Sequence, residues 1–215
     1  MSGWQRERLA LEADPEQPTE AAAFGPDLAT VTRVYERCQQ FIEAAVSGAA
    51  LPAEFLGALA ANESGGDERA ARFEDWIFIR LRDVAEGWSP AFWGIGRSEL
   101  LAAIEGKDAG LRDLATSWGY TQIMGYQVIG RKMRVQSLLD PQVHFRLAVE
   151  LLGGFARRFG LRMSADFGSL FRCWNTGEPD GQTSDPGYVE EGIRRMALYR
   201  QLMAASPGGR AGGEP

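Results

Sequence analysis

Helical spacing dominates the middle of the chain. From Asp27, read as an N-cap after Pro26, the apolar positions Leu28, Val31, Tyr35, Cys38, Ile42 and Ala45 recur at three- and four-residue intervals until Gly48 closes the run. That pattern places one stripe of a first helix against a core. A second helix is expected from Pro52, a residue suited to a first helical turn, through Phe55, Leu56 and Leu59 to a stop at Ser64-Gly65-Gly66. Glu63 therefore falls at its C-terminal end. Further helical patterns cover 97–105, 110–116, 141–159, 164–174 and 186–203, with a short apolar piece at 120–130 and a Gly/Pro/Asp loop at 176–187. Only 69–80 (RAARFEDWIFIR) mixes both periods, and it reads as a short extended piece followed by a helix. The expected fold class is mostly α, with a small β element after Glu63. Residues 1–26 and 204–215 carry no apolar stripe and are expected to be flexible, which leaves 27–203 as one domain.

Composition narrows the chemistry. A length of 215 residues suffices for one domain with a sizeable core or at most two small ones. The 23 Lys+Arg against 29 Asp+Glu give a net charge of −6, so affinity built on neutralising phosphates is a poor expectation and no nucleic-acid partner is predicted. With 45% hydrophobic and 24% charged residues the chain has a folding composition. Cys38 and Cys173 are too few for a disulfide scaffold and read as buried thiols. One histidine, His144, cannot build a multi-histidine metal site or a two-histidine relay, and its place early in a helix reads as surface. No metal and no cofactor are expected, and carboxylates are left to carry any chemistry. There is no N-terminal apolar run of signal-peptide length and no run of ~18 apolar residues, so neither a Sec leader nor a membrane span is expected.

Among the carboxylates Glu63 has a distinctive position. At the C-terminal end of an apolar helix it meets the negative pole of the helix and partial burial, and both raise its pKa toward the range of a general acid at neutral pH. A solvated glutamate at a helix end has the same local sequence, so position alone does not decide between them.

Four pieces in order add to that position: Ala61-Asn62-Glu63-Ser64-Gly65-Gly66; Ser117-Trp118-Gly119-Tyr120-Thr121-Gln122-Ile123-Met124-Gly125; Asp140-Pro141 leading a long helix that ends Arg158-Phe159-Gly160; and Trp174-Asn175-Thr176-Gly177 followed by Tyr188-Val189. Together they resemble the lysozyme superfamily, in particular the soluble lytic transglycosylases, over residues 51–203. The resemblance implies a lysozyme-like single domain acting on peptidoglycan glycan strands. Glu63 would be the general acid/base at the β-1,4 bond between N-acetylmuramic acid and N-acetylglucosamine. Ser64 would orient the site, Gln122 would face the bound sugar, Met124 would be the apolar residue beside it, and Asn175 would be the asparagine of the last motif. Trp174 stands where that family usually has tyrosine, so a hydroxyl on the catalytic carboxylate is expected to be missing. Tyr120 and Trp174, each inside a matching motif, are expected to line the groove.

Glu63 and Gln122 lie roughly sixty residues apart, far beyond an ordinary loop and beyond the fewer than about twenty usual in the transglycosylases. The intervening Arg72-Phe73-Glu74-Asp75-Trp76-Ile77-Phe78 is similar to the "F-E-R-H-x-F" motif of N-acetylmuramidases, with Asp75 and Trp76 in place of Arg and His. Glu74 thus becomes the candidate second carboxylate, ahead of Asp67 and Glu68, unless it holds the insert through a salt bridge. Inverting hydrolysis needs a base roughly 6.5–9.5 Å from the acid and retaining hydrolysis a nucleophile at about 5–5.5 Å. A lytic transglycosylase needs neither, because the muramic acid C6 hydroxyl attacks C1. The first expectation is a monomeric lytic transglycosylase reaching the wall after lysis or non-Sec export. A hydrolytic N-acetylmuramidase using Glu63 with Glu74 follows, and then a weakly active or inactive wall-binding part of a phage particle or secretion machine. The aromatics Trp76, Trp88, Trp93, Trp118 and Tyr126 would suit sugar stacking, although most are expected in the core.

Overall fold

The computed structural model describes residues 20–104 and 107–206. The ends expected to be flexible fall largely outside them. Eight α-helices, a small three-stranded antiparallel sheet and a two-stranded hairpin are the main elements of the described residues, a mostly helical architecture.

Helix α2 (Ala53–Ser64) is the centre. It is apolar on nearly every side, with Ala53 through Ala61 nearly all buried, and a helix of that kind has to be covered all round. Helix α1 (Glu20–Val46) covers one side and α8 (Tyr188–Ala205) another. The α8 contact is close because Gly57 has no side chain where the ring of Tyr199 lies. Phe55 packs on Phe171 of α7 (Phe167–Thr176) with ring centroids 4.4 Å apart. Helix α6 (Pro141–Phe159) starts as its sequence predicts: Asp140 caps it by accepting from the N–H groups of Gln142 and Val143, with Pro141 in the first turn.

The segment after α2 supplies the β structure. Strand β1 (Ala71–Phe73) leads into α3 (Asp75–Glu86), as the mixed period at 69–80 implies. A hairpin of β2 (Ala91–Phe92) and β3 (Ile95–Gly96) follows, then α4 (Arg97–Ala103), α5 (Lys107–Leu114), β4 (Thr116–Trp118) and β5 (Ile123–Met124). The sheet order is β1-β4-β5, all antiparallel, with Arg72 opposite Ser117 and Ser117 opposite Met124. Short 3-10 turns at Gly125–Val128 and Val135–Leu139 complete the apolar piece expected at 120–130 and its sequel. Strands this short leave too few positions for alternation to show in the sequence.

Two expectations are corrected. Asp27 is not an N-cap: α1 begins at Glu20 with Pro26 inside it, and the carboxylate of Asp27 is buried against Arg194 and Arg195 of α8. His144 is not on the surface but fully buried, because the loop before β5 folds over the first turn of α6. Cys38 and Cys173 are buried free thiols. Among the described residues no helix is long and apolar enough to cross a membrane.

Candidate active site

Glu63 occupies the last turn of α2, which ends because Gly65 takes the left-handed conformation (φ +62°) and returns its N–H to the Ala61 carbonyl. The turn is held from two sides. Arg33 of α1 donates to the Gly65 carbonyl at 2.9 Å, and the Ser64 hydroxyl donates to the Tyr120 carbonyl at 2.8 Å. Glu63 itself is partly exposed, and one carboxyl oxygen, Oε1, accepts a hydrogen bond from the hydroxyl of Tyr188. Burial pushes the Glu63 carboxyl up to about 7, against the opposing pull of the Tyr188 hydroxyl and the Arg72 guanidinium. Burial and the adjacent carboxylate hold the Tyr188 hydroxyl well above its ordinary value, so it remains a donor. The hydroxyl expected to be missing because Trp174 replaces a tyrosine is supplied here by Tyr188, which the sequence carries in its fourth motif.

The other carboxylates are engaged elsewhere. Glu74 sits at the N-cap position of α3 and accepts from Arg72 Nε at 2.7 Å. Arg72 is thus both the cation that Glu63 senses and the ion-pair partner of Glu74. Asp67 accepts from the Arg69 N–H at 2.9 Å in an exposed turn, and Glu68 accepts from the Tyr120 hydroxyl at 3.4 Å.

The loop 119–122 forms the opposite support, and most of its expected groove residues are internal. Gly119 is left-handed (φ +68°), and a Cβ there would lie 2.9 Å from the His144 ring, so glycine is required both by conformation and by space. His144 Nε2 accepts from the Thr121 N–H at 2.9 Å, which leaves Nδ1–H to donate to the Leu138 carbonyl at 2.9 Å. Burial pushes this imidazole down to about 4, so it is a neutral strut. Trp174 spends its indole N–H on the Thr121 carbonyl at 2.8 Å. Gln122, also left-handed (φ +54°), donates its amide to the Ala70 and Gly119 carbonyls and accepts from Ser117, tying the loop to both sides of the sheet. Tyr120 is core: its ring is buried and stacks on Phe145 with centroids 5.1 Å apart. Met124 is partly buried in β5 opposite Ser117, and Asn175 is exposed near the end of α7.

Three tryptophans expected mainly in the core are instead exposed: Trp76 (52%), Trp88 (73%) and Trp93 (67%). Trp93 sits at the tip of the β2–β3 hairpin with φ +47°, a strained conformation for a bulky residue. It stacks on Phe92 at 4.7 Å and meets Trp76 edge-on at 6.1 Å. The sequence held a signal for Trp76: on α3 the buried positions Ile77, Leu81 and Val84 define one stripe, and Trp76, Ile79 and Arg80 lie off it. A cavity of about 500 Å³ lined by Glu99, Asp113, Val128, Met133 and Gln136, among others, shares no residue with the Glu63 group. Among the described residues no cluster of three His, Cys, Asp or Glu side chains is placed to hold a metal ion.

The arrangement provides one carboxyl that can give and take a proton near neutral pH, held at one oxygen by a fixed donor. Comparison of the chain with family models, with curated proteins and with solved structures finds no match.

Proposed function

We propose that this chain is a lysozyme-like peptidoglycan lytic transglycosylase that cleaves the β-1,4 bond between N-acetylmuramic acid and N-acetylglucosamine, with Glu63 as general acid and then base. The Glu63–Tyr188 pair carries the reading. Tyr188 donates to Oε1, so the carboxyl proton resides on Oε2, and a carboxyl pushed up to about 7 is still protonated in about half of the molecules at neutral pH. Glu63 Oε2 gives its proton to the glycosidic oxygen as the C1–O bond breaks and the N-acetylglucosamine hydroxyl leaves. The muramic acid C6 hydroxyl then bonds to C1 and returns its proton to Glu63, leaving a 1,6-anhydro end. The engagement of Glu74 with Arg72 supports this one-carboxyl route over hydrolysis, which asks for a second carboxyl free to activate water or attack C1. The exposed indole faces of Trp76 and Trp93 suit stacking on sugar rings.

Mass spectrometry of muropeptides released from purified peptidoglycan tests the proposal. Anhydro ends are expected from the wild type, no release from Glu63→Gln, and near-normal turnover from Glu74→Gln. Reducing ends lost on Glu74→Gln would establish the N-acetylmuramidase route instead, and no release from the wild type would leave a wall-binding role.

A further inference from the structure

Helix α1 lies upstream of every motif that points to the site, yet it is joined to Glu63 through side chains. Asp27 Oδ1 accepts from Arg195 at Nε (3.0 Å) and Nη2 (2.8 Å), while Oδ2 accepts from Arg194 Nε at 2.6 Å. Arg195 Nη1 donates to Asn62 Oδ1 at 2.7 Å, and Asn62 Nδ2 donates to the Tyr188 carbonyl at 3.0 Å. Tyr188 in turn donates its hydroxyl to Glu63 Oε1. Every link has a defined direction: a guanidinium only donates and a carbonyl only accepts, so the Asn62 amide can be placed one way only. The chain of contacts runs α1–α8–α2–α8–α2 and ends on the carboxyl oxygen.

We infer that Asp27 is a positioning residue for Glu63, acting through Arg195 and Asn62 to hold the Tyr188 hydroxyl on Oε1. Its cost to the fold argues that it is more than an incidental pair. A carboxylate buried to this extent is expensive unless several donors meet it, and here two guanidiniums outweigh the burial that alone would raise its carboxyl, keeping Asp27 ionised. Arg195 is partly buried beside it, its side chain 15% exposed. Glu191 of α8 also lies 3.2 Å from Arg195 Nη2, so loss of Asp27 leaves Arg195 a competing partner on its own helix and draws the guanidinium from Asn62. The same helix α1 steadies the turn after Glu63 through Arg33. The remaining charge near Glu63, Arg72 of β1, lies outside this network.

The inference rests on Glu63 being the acid, and Asp27→Asn tests it with two readouts. In wall lysis kcat is expected to fall roughly tenfold or more with KM within about twofold, as for loss of alignment away from the reacting atoms. In carbon-13 NMR of labelled glutamate carboxyls, the Glu63 titration is expected to move to higher pH, because the ionised form loses a donor. Removing the Asp27 charge without disturbing Tyr188 would move that titration the other way, if at all. Glu54→Gln, which breaks the exposed Arg200 pair between the same two helices α2 and α8, is the control and should leave both readouts unchanged. Arg195→Lys keeps the ion pair with Asp27 but gives up the fork that reaches Asn62, and it serves if Asp27→Asn fails to fold. An unmoved Glu63 titration with wild-type kcat in either folded variant overturns the inference. A wild type without lytic activity removes the proposed function, while the NMR titration still decides whether Asp27 governs Glu63.

Discussion

Glu63→Gln should leave the chain more stable than the wild type, by a margin that grows with pH. The folded chain holds the Glu63 proton up to about pH 7, against 4.5 for an unperturbed glutamate. At roughly 1.4 kcal/mol per tenfold change in proton affinity, the gap corresponds to about 3 kcal/mol. The sign follows from where the proton is released. Below about pH 4.5 folded and unfolded chains both keep it, and the variant gains nothing. Between about 4.5 and 7 the unfolded chain gives it up while the folded chain does not, so the wild type loses stability as pH rises, and above about 7 the deficit is complete. The glutamine of the variant has no proton to release and can still accept from Tyr188. For a chain of this size 3 kcal/mol is a rise in Tm of about 6–12 °C. Urea and thermal unfolding of both proteins, followed by circular dichroism from about pH 4 to about pH 8, measures the margin. A margin that stays flat across that range, or a variant less stable at neutral pH, would refute the claim that burial of the acid is stored against the fold.

Three further outcomes are expected. Tyr188→Phe removes a donor that favours the ionised form of Glu63, so the alkaline limb of the pH–rate profile should move up by about one pH unit, the lower end of what a hydrogen bond to a charged group supplies; a limb that does not move would separate Tyr188 from the chemistry. Because burial pushes His144 down to about 4 from 6.5, the wild type should lose stability as pH falls through that window, and His144→Asn should flatten the slope while lowering stability overall. Identical slopes in the two proteins would mean that the imidazole is not the neutral strut described. Trp93→Gly suits the left-handed hairpin tip, so stability should stay within about 1 kcal/mol while binding of glycan oligomers weakens several-fold. Unchanged binding in isothermal titration would dismiss Trp93 as a sugar platform.

Local features were legible wherever one segment contained all the information. Helix α2 follows from an unbroken apolar surface and a Gly-Gly stop, and with it the placement of Glu63 at a helix end. Asp140-Pro141 announces α6 because a cap and a first-turn proline act within a few residues. The β1–α3 segment is readable from the change of period across Phe73 and Glu74. The two-residue strands of the hairpin and β5 were not, since two positions cannot display an alternation.

What the sequence determined by itself was a mostly helical chain, without histidines or cysteines enough for a cluster, with a glutamate placed at the end of its most apolar helix. What only the tertiary structure decided was the surroundings of that carboxyl. Tyr188 is 125 positions from Glu63, Arg195 is 168 from Asp27, and Trp174 is 53 from the carbonyl it binds. Asp27 reads as a cap and is a buried anchor; His144 reads as surface and is a core strut; Tyr120 reads as a groove wall and is a buried ring stacked on Phe145. The reason is common to all three: spacing along the chain records which side of its own helix a residue occupies, whereas burial and hydrogen bonding depend on which distant segment comes to cover that side.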